Sequence, residues 1–290
     1  MSKKIFFLGI LFIIPLLSIG QATDETNSYQ TYFGSFVKPI EVKIEPFNGK
    51  FNITAFNSTL YPFTTTIELT LKNMRCDRPL SFSHLILPGT NMIGRLNVLD
   101  DKLSYSYDFK FSYKIGNPFM KFNDTITYLI PFKPERNCIA NPSDGIIQKY
   151  TFKCSAGDTI YASRKGIVCA TPLDSKDHVE RYSFSNNFEV YQNDGTIAIY
   201  KPLSKVFKKR GETIIPGEAI GIAYDEFFFL NILQFNENSA ISYAKVNFIT
   251  DKGKFSSFYN DDTIKPIHPR SIIMNELTRR EKKRFLKSHI

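Results

Sequence analysis

The sequence predicts a mainly β protein: an antiparallel β-sandwich, then a second antiparallel β unit, then a short basic helix. Three observations carry this. Of 290 residues, 14% are aromatic, with 27 Phe, 15 Tyr and no Trp, and flat side chains suit pleated, half-buried surfaces. Apolar and polar residues alternate with period two over long stretches, as in strands with one wetted face. Turn formers recur at short intervals between these stretches. At this length and 42% hydrophobic content, the chain can bury two ordinary cores, because single domains commonly hold about 100 to 150 residues.

The first 20 residues, MSKKIFFLGILFIIPLLSIG, set Lys3 and Lys4 before an apolar run from Ile5 to Ile19, with small Ser18 and Gly20 at its end. This is the pattern of an export signal, and the run is shorter than the roughly 20 apolar residues a spanning helix needs. No Cys follows to accept a lipid, so residues 1–20 are expected to leave a mature chain without a transmembrane anchor, outside the cytoplasm. The next stretch, QATDETNSYQ, is polar.

Residues 35–133 read as the sandwich. TTIELTLKN places Ile67, Leu69 and Leu71 on one face and Thr66, Glu68, Thr70 and Lys72 on the other. YSYDFKFSYKI alternates Tyr105, Tyr107, Phe109, Phe111, Tyr113 and Ile115 with Ser106, Asp108, Lys110, Ser112 and Lys114. FNGKF, LPGTN and IGNP mark turns, and ITYLIPF reads as the last strand. The turn-rich KPERNCIANPSDG then marks the boundary to the second unit, residues 140–262.

That unit has shorter strands. GDTIYASRKGIV gives two around a polar turn, and FEVYQNDGTIAIY is a hairpin in which Asn193, Asp194 and Gly195 are expected to supply positive φ angles. GETIIPGEAIGIA adds strands on either side of Pro216-Gly217, FFFLNILQF reads as an apolar strand, and DSKDHVERYSFS as an exposed polar loop. Residues 270–290 read as one helix. Ile273, Leu277 and Phe285 form its apolar face, Ser271 its N-cap, and Glu276 pairs with Arg280 four residues on.

Formal charge is +9, and without Lys3 and Lys4 it is +7. Eight basic and two acidic side chains in residues 265–290 account for +6 of this, so the body is nearly neutral. The charge is a local tail, which argues against a nucleic-acid-binding stripe across a domain. Arg279, Arg280, Lys282, Lys283 and Arg284 form either a solvated helix face or a docking surface for an acidic partner or anionic polymer.

Cys76, Cys138, Cys154 and Cys169 allow three complete disulfide pairings. Cys154 and Cys169 become neighbours if the segment between them folds as a hairpin, and free buried thiols are the alternative.

GDTIYASRKGIV resembles the G-T-P-V-Y-A-x-x-x-G-x-V opening of the M23 (LytM or lysostaphin-like) zinc endopeptidases. NNFEVYQNDGTIAIYKPLSKVFKKRGETIIPGEAIGIA is similar to their segment N-Y-V-x-I-x-x-x-D-G-T-x-x-x-Y-x-H-L followed by V-x-x-G-x-x-V-x-x-G-x-x-I-G-x-x. FFFLNILQF stands where that family closes its core with H-x-H-F. The match covers about residues 145 to 240, and YSYDFKFSYKIGNP with YLIPF more loosely resembles a sandwich that precedes the peptidase domain in some exported members. The resemblance implies a duplicated-hybrid-motif β-core with a groove, and a bacterial cell envelope, periplasmic or extracellular, as its setting. It also implies, in active members, a Zn²⁺ held by His, Asp and the second His of H-x-H, which lowers the pKa of bound water and polarises the scissile carbonyl.

Carried over residue by residue, the metal-binding Asp falls at Thr151, the His of Y-x-H-L at Pro202, and the two imidazoles of H-x-H-F at Ile232 and Gln234. The four histidines are His84, His178, His268 and His289, so no register from 85 to 177 or from 179 to 267 supplies one. The expectation is therefore no zinc or other cofactor, and an inactive, pseudoenzyme-like module that binds peptidoglycan or an envelope protein. The alternatives are a hydrolase with a non-standard site drawing on Asp158, Glu189 or Asp194, and an envelope-assembly protein that docks through its basic C-terminal helix.

Overall fold

The computed structural model describes residues 39–117, 119–141, 149–172, 187–235, 241–255 and 262–288. The segments read as an export signal (1–20) and as a polar loop (174–185) lie outside the described residues. Within them the protein is mainly β, with antiparallel sheets and two short C-terminal helices. No helix among the described residues is long and apolar enough to cross a membrane.

Two sheets share the first core. One has the order β1 (Ile40–Phe47), β2 (Lys50–Asn57), β6 (Gly89–Val98), β4 (Met74–Cys76); the other has β5 (Ser81–Ile86), β3 (Phe63–Lys72), β7 (Ser106–Ile115). The β1–β2 hairpin closes at Phe47 opposite Lys50 over Asn48 and Gly49, with φ of 47° and 74°. Two successive positive φ angles define the turn whose twist matches a hairpin, which is why the sequence there is Asn-Gly. On β3 and β7, Ile67 faces Phe111 and Leu69 faces Phe109, all four buried, while Glu68 and Lys110 pair on the wetted side.

The second core lies under a nine-stranded sheet of order β16 (Thr213–Ile214), β12 (Gly166–Ala170), β13 (Phe188–Gln192), β14 (Ile197–Lys201), β18 (Phe227–Phe235), β10 (Lys149–Lys153), β9 (Cys138–Asn141), β22 (Asp262–Ile264), with β19 (Ile241–Tyr243) also on β18. Two three-stranded sheets complete this part: β11 (Thr159–Tyr161), β17 (Ala219–Ala223), β15 (Leu203–Val206), and β21 (Gly253–Phe255), β20 (Asn247–Thr250), β8 (Thr127–Leu129).

Three expectations need correction, and one condition is decided. ITYLIPF does not end the sandwich: β8 pairs in parallel with β20, and Tyr128, Ile130 and Phe132 are buried in the second core. The β13–β14 hairpin places only Gly195 at positive φ, 85°. Gln192 and Thr196 close a three-residue loop, in which a single left-handed residue suffices. GDTIYASRKGIV does give two strands around a turn, but they do not pair with each other, because β11 pairs with β17 while β12 pairs with β13 and β16, so the hairpin on which a Cys154–Cys169 contact depended does not form.

The C-terminal segment, finally, is two helices, α1 (Arg270–Asn275) and α2 (Arg279–Ser288). Pro269, not Ser271, stands at the start of α1, without a side-chain cap. Thr278 caps α2 reciprocally: its Oγ1 accepts from the Glu281 amide at 3.4 Å, and the Glu281 carboxylate accepts from the Thr278 amide at 2.7 Å. This capping box starts a new helix and leaves Glu276 outside both, free to turn inward instead of pairing with Arg280. Ile273, Leu277 and Phe285 are buried as expected, against Leu129 of β8.

Candidate functional site

The register of the large sheet sorts its side chains into two faces. Val190, Ala198 and Ile232 align across β13, β14 and β18, as do Phe188, Tyr200, Leu230 and Tyr150 with β10 added. This face is hydrocarbon and belongs to the second core. Each of its Val, Ile, Leu and Phe side chains contributes about 1.5–3 kcal/mol on full burial. The opposite face carries the rows Tyr191–Ile197–Leu233, Glu189–Ile199–Asn231 and Lys201–Phe229–Thr151.

The four family positions are thus divided. Thr151 lies on the second face beside Phe229, whereas Ile232 points into the core on the other face and Gln234 shares its side of β18. Strand side chains alternate, so a slip of one residue exchanges faces. On β18 the Thr151-face positions that flank Ile232 are Asn231 and Leu233, an amide and a hydrocarbon. Pro202 sits between β14 and β15. Among the described residues no group of three or more His, Cys, Asp or Glu could hold a metal ion.

Part of the Thr151 face is covered by the sandwich, while Thr151, Phe229 and Lys201 themselves are half-buried. Ile197, Ile199 and Leu233 are part of the first core together with Phe63, Ile93 and Ile115. Cys169 joins them because β12 bulges between Val168 and Ala170; its thiol lies 3.6 Å from the Leu60 carbonyl oxygen. Tyr61 of the sandwich donates its hydroxyl to Glu189 Oε2, and Asn187 Nδ2 donates to Glu189 Oε1 at 3.0 Å. Burial pushes the Glu189 carboxyl up to about 7, against the opposing pull of the Tyr61 and Asn187 hydrogen bonds and the Lys201 charge. Among the described residues, Asn187 Oδ1 and Asn231 Oδ1 are buried without a hydrogen-bond partner.

A second polar cluster ties the C-terminus to the sheet. Arg164, 1% exposed, donates from Nη1 to Asp194 Oδ2 at 2.8 Å and to Tyr128 Oη at 2.9 Å. From Nη2 and Nε it donates to Glu276 Oε1 at 2.6 Å and 3.0 Å. Desolvation works against the guanidinium's charge, but Tyr128, Glu276 and Asp194 outweigh it and raise its pKa. Lys165 Nζ donates to Glu281 Oε2 at 2.6 Å, which with the Thr278 amide holds that carboxyl down to about 2. Sequence reading missed this cluster; the T-x-x-E pattern of Thr278 and Glu281 was the legible signal, whereas the Arg164 partners lie up to 112 residues away.

Of the remaining candidates, Arg279, Arg280, Lys283 and Arg284 are exposed on α2 and Lys282 is half-buried. All four cysteines are free. Cys154 belongs to the second core and Cys169 to the first, so the structure does not bring this pair together. The Asp158 carboxylate accepts from the Ser155 amide and pairs with Arg136. His84 lies on β5, and His268 Nε2 is 3.2 Å from the Ile130 carbonyl oxygen. His178 and His289 lie outside the described residues.

A groove of about 440 Å³ is bounded by Ile215, Gly217, Glu218, His268, Arg270 and Phe285.

No family model matches the chain, and no curated protein matches it. Among solved structures it is similar to pseudoalterin, an M23 metalloprotease from the deep sea, at 14% identity over 50% of this chain and 99% of that one, TM-score 0.32. It is similar to Csd3 of Helicobacter pylori at 10% identity, over 87% and 78%, TM-score 0.29. A zinc-containing peptidase from Vibrio cholerae matches at 10% identity, over 71% and 86%, TM-score 0.27.

Proposed function

We propose that the chain is an exported, catalytically inactive M23-like protein of the cell envelope, acting as a binding or scaffold module for peptidoglycan or an envelope protein. One observation carries this reading: the positions the motif resemblance assigns to the metal site hold Thr151, Pro202, Ile232 and Gln234, the sheet beside Thr151 offers Phe229, Asn231 and Leu233, and the sandwich is packed onto Ile197, Ile199 and Leu233 of the same face. A hydroxyl, an amide and hydrocarbon do not make the carboxylate and imidazole set that holds zinc with an open position. The ordered turns support kinship with the family: Gly157, Gly195, Gly211 and Gly217 all have positive φ, in the motif order.

The test is metal content and wall digestion on the mature chain. Zinc below about one-tenth stoichiometric, with no soluble fragments released from purified peptidoglycan, is the expected result. One tightly held zinc per chain overturns the reading. Chelator-resistant release of fragments would instead establish a hydrolase with a non-standard site.

A second reading assigns partner docking to α2. The exposure of Arg279, Arg280 and Lys283 favours it, since Phe285 and Glu281 anchor the opposite side of the helix. Replacing those three by Gln tests it more cleanly than deleting residues 270–290, which would also strip Glu276 from Arg164. Unchanged capture of peptidoglycan or anionic polymer at low salt eliminates this reading.

A further inference from the structure

We infer that Cys138 and Cys154 are a cross-strand disulfide pair, formed when the chain folds in contact with a disulfide-bearing oxidant. The register of β9 against β10 sets Asn141 opposite Thr151, Ala140 opposite Phe152 and Ile139 opposite Lys153. One step further places Cys138 opposite Cys154. Directly opposed side chains project from the same face, and both cysteines are buried in the same core, at 2% and 8% exposure.

The hydrogen bonding decides what kind of pair this is. The Cys154 amide donates to the Glu226 carbonyl oxygen at 2.7 Å, on the side of β10 away from β9. A strand residue sends its N–H and C=O towards the same neighbour, so Cys154 offers neither to β9, and the Cys138–Cys154 pair is a non-hydrogen-bonded one. Such pairs hold their Cα atoms about 4.5 Å apart, closer than hydrogen-bonded pairs. That falls within the range of roughly 4.4–6.8 Å that a disulfide spans.

Cys138 Sγ already lies 4.0 Å from the Lys153 carbonyl oxygen, at the Cys154 end of β10. Cys154 Sγ is turned towards the Asp225 carbonyl oxygen at 3.2 Å, so a χ1 rotation brings the sulfurs together. Cys76 and Cys169 have no comparable neighbour: Cys76 is on β4, and Cys169 is the bulge residue of β12.

The chemistry is thiol–disulfide exchange. One thiolate attacks an oxidised low-molecular-weight disulfide or oxidoreductase, releasing a thiol and leaving a mixed disulfide. The second thiolate displaces the other thiol. The two cysteines lose two electrons and two protons, and the donor disulfide is reduced to two thiols. Burial pushes both cysteines up to about 12, so the closed core holds few thiolates and the exchange belongs to folding. Once formed, the same burial shields the bond from reductants.

The test is translation of the full chain in a cell-free system, once with oxidised glutathione and a disulfide isomerase and once with dithiothreitol. Free thiols are then alkylated and the peptides mapped by mass spectrometry. A linked Cys138–Cys154 peptide is expected only in the first sample, with Cys76 and Cys169 alkylated in both. The Cys138→Ser/Cys154→Ser variant should show no intramolecular bond in either. The oxidised wild type should melt above its dithiothreitol-treated form, while the variant melts alike in both. Alkylation of all four cysteines under oxidising translation, or a bond from Cys154 to Cys169, overturns the inference.

Discussion

Glu189 makes the stability of this protein fall as pH rises through neutrality. Its carboxyl is fully buried where the sandwich meets the large sheet, and burial raises it from 4.5 to about 7. The folded state therefore binds a proton that the unfolded state has already released. Stabilisation from the protonated form is complete below pH 4.5 and lost as pH climbs through 7. At about 1.4 kcal/mol per pH unit, the full effect is about 3 kcal/mol. With a urea m-value near 3 kcal/mol/M, this is a shift of about 1 M in midpoint. His268 works in the opposite sense, since burial lowers it: protonating it below 6.5 favours the unfolded chain. The measurement must isolate Glu189 from this background. Urea midpoints of wild type and Glu189→Gln should be taken at half-unit steps from pH 4.5 to 8.5, and their difference plotted. The amide still offers Tyr61 and Asn187 a partner but does not titrate. The wild-type advantage should decline by about 3 kcal/mol across the series. A flat difference, or one that grows with pH, would refute the argument that desolvation dominates at this site.

Three further outcomes follow from the same geometry. Glu276→Ala leaves the buried Arg164 guanidinium with Asp194 as its remaining carboxylate, and chemical denaturation should show a loss of about 3 kcal/mol, at the low end for a broken buried pair; a loss under about 1 kcal/mol would mean water enters the site. Gly166→Ala sets a Cβ 2.4 Å from Val190 Cγ1 and 2.6 Å from the Tyr191 carbonyl oxygen, so β12 must move off β13, and thermal melting should report a loss of about 1–3 kcal/mol. The triple variant Thr151→Asp, Ile232→His, Gln234→His should not bind zinc, because Thr151 and Ile232 stand on opposite faces. Stoichiometric zinc by elemental analysis would show that the β10–β18 register is wrong.

Local patterns in the chain were sufficient for the kind of element and many of its ends. Alternation over 67–71 and 105–115 marked β3 and β7, Asn48-Gly49 marked a turn and Asp194-Gly195 a hairpin, and Ile273, Leu277 and Phe285 marked the buried side of the C-terminal helices. These depend on neighbours within a few residues, so they are written in the order of the chain. The absence of histidine from 85 to 177 and from 179 to 267 was equally plain. Pairing partners and faces were not. β8 reads like any apolar strand, yet it lies parallel to a strand more than a hundred residues away. Ile232 and Asn231 differ by one position, and only the β10–β18 register decides which of them shares a face with Thr151. Cys154 meets Cys138 and not Cys169 because β11 and β12 choose different partners. Glu276 turns inward because a buried guanidinium at Arg164 requires a second carboxylate. Contacts between residues distant in the chain arise when sheets pack on one another, and a period-two pattern looks the same in either register until that packing selects one.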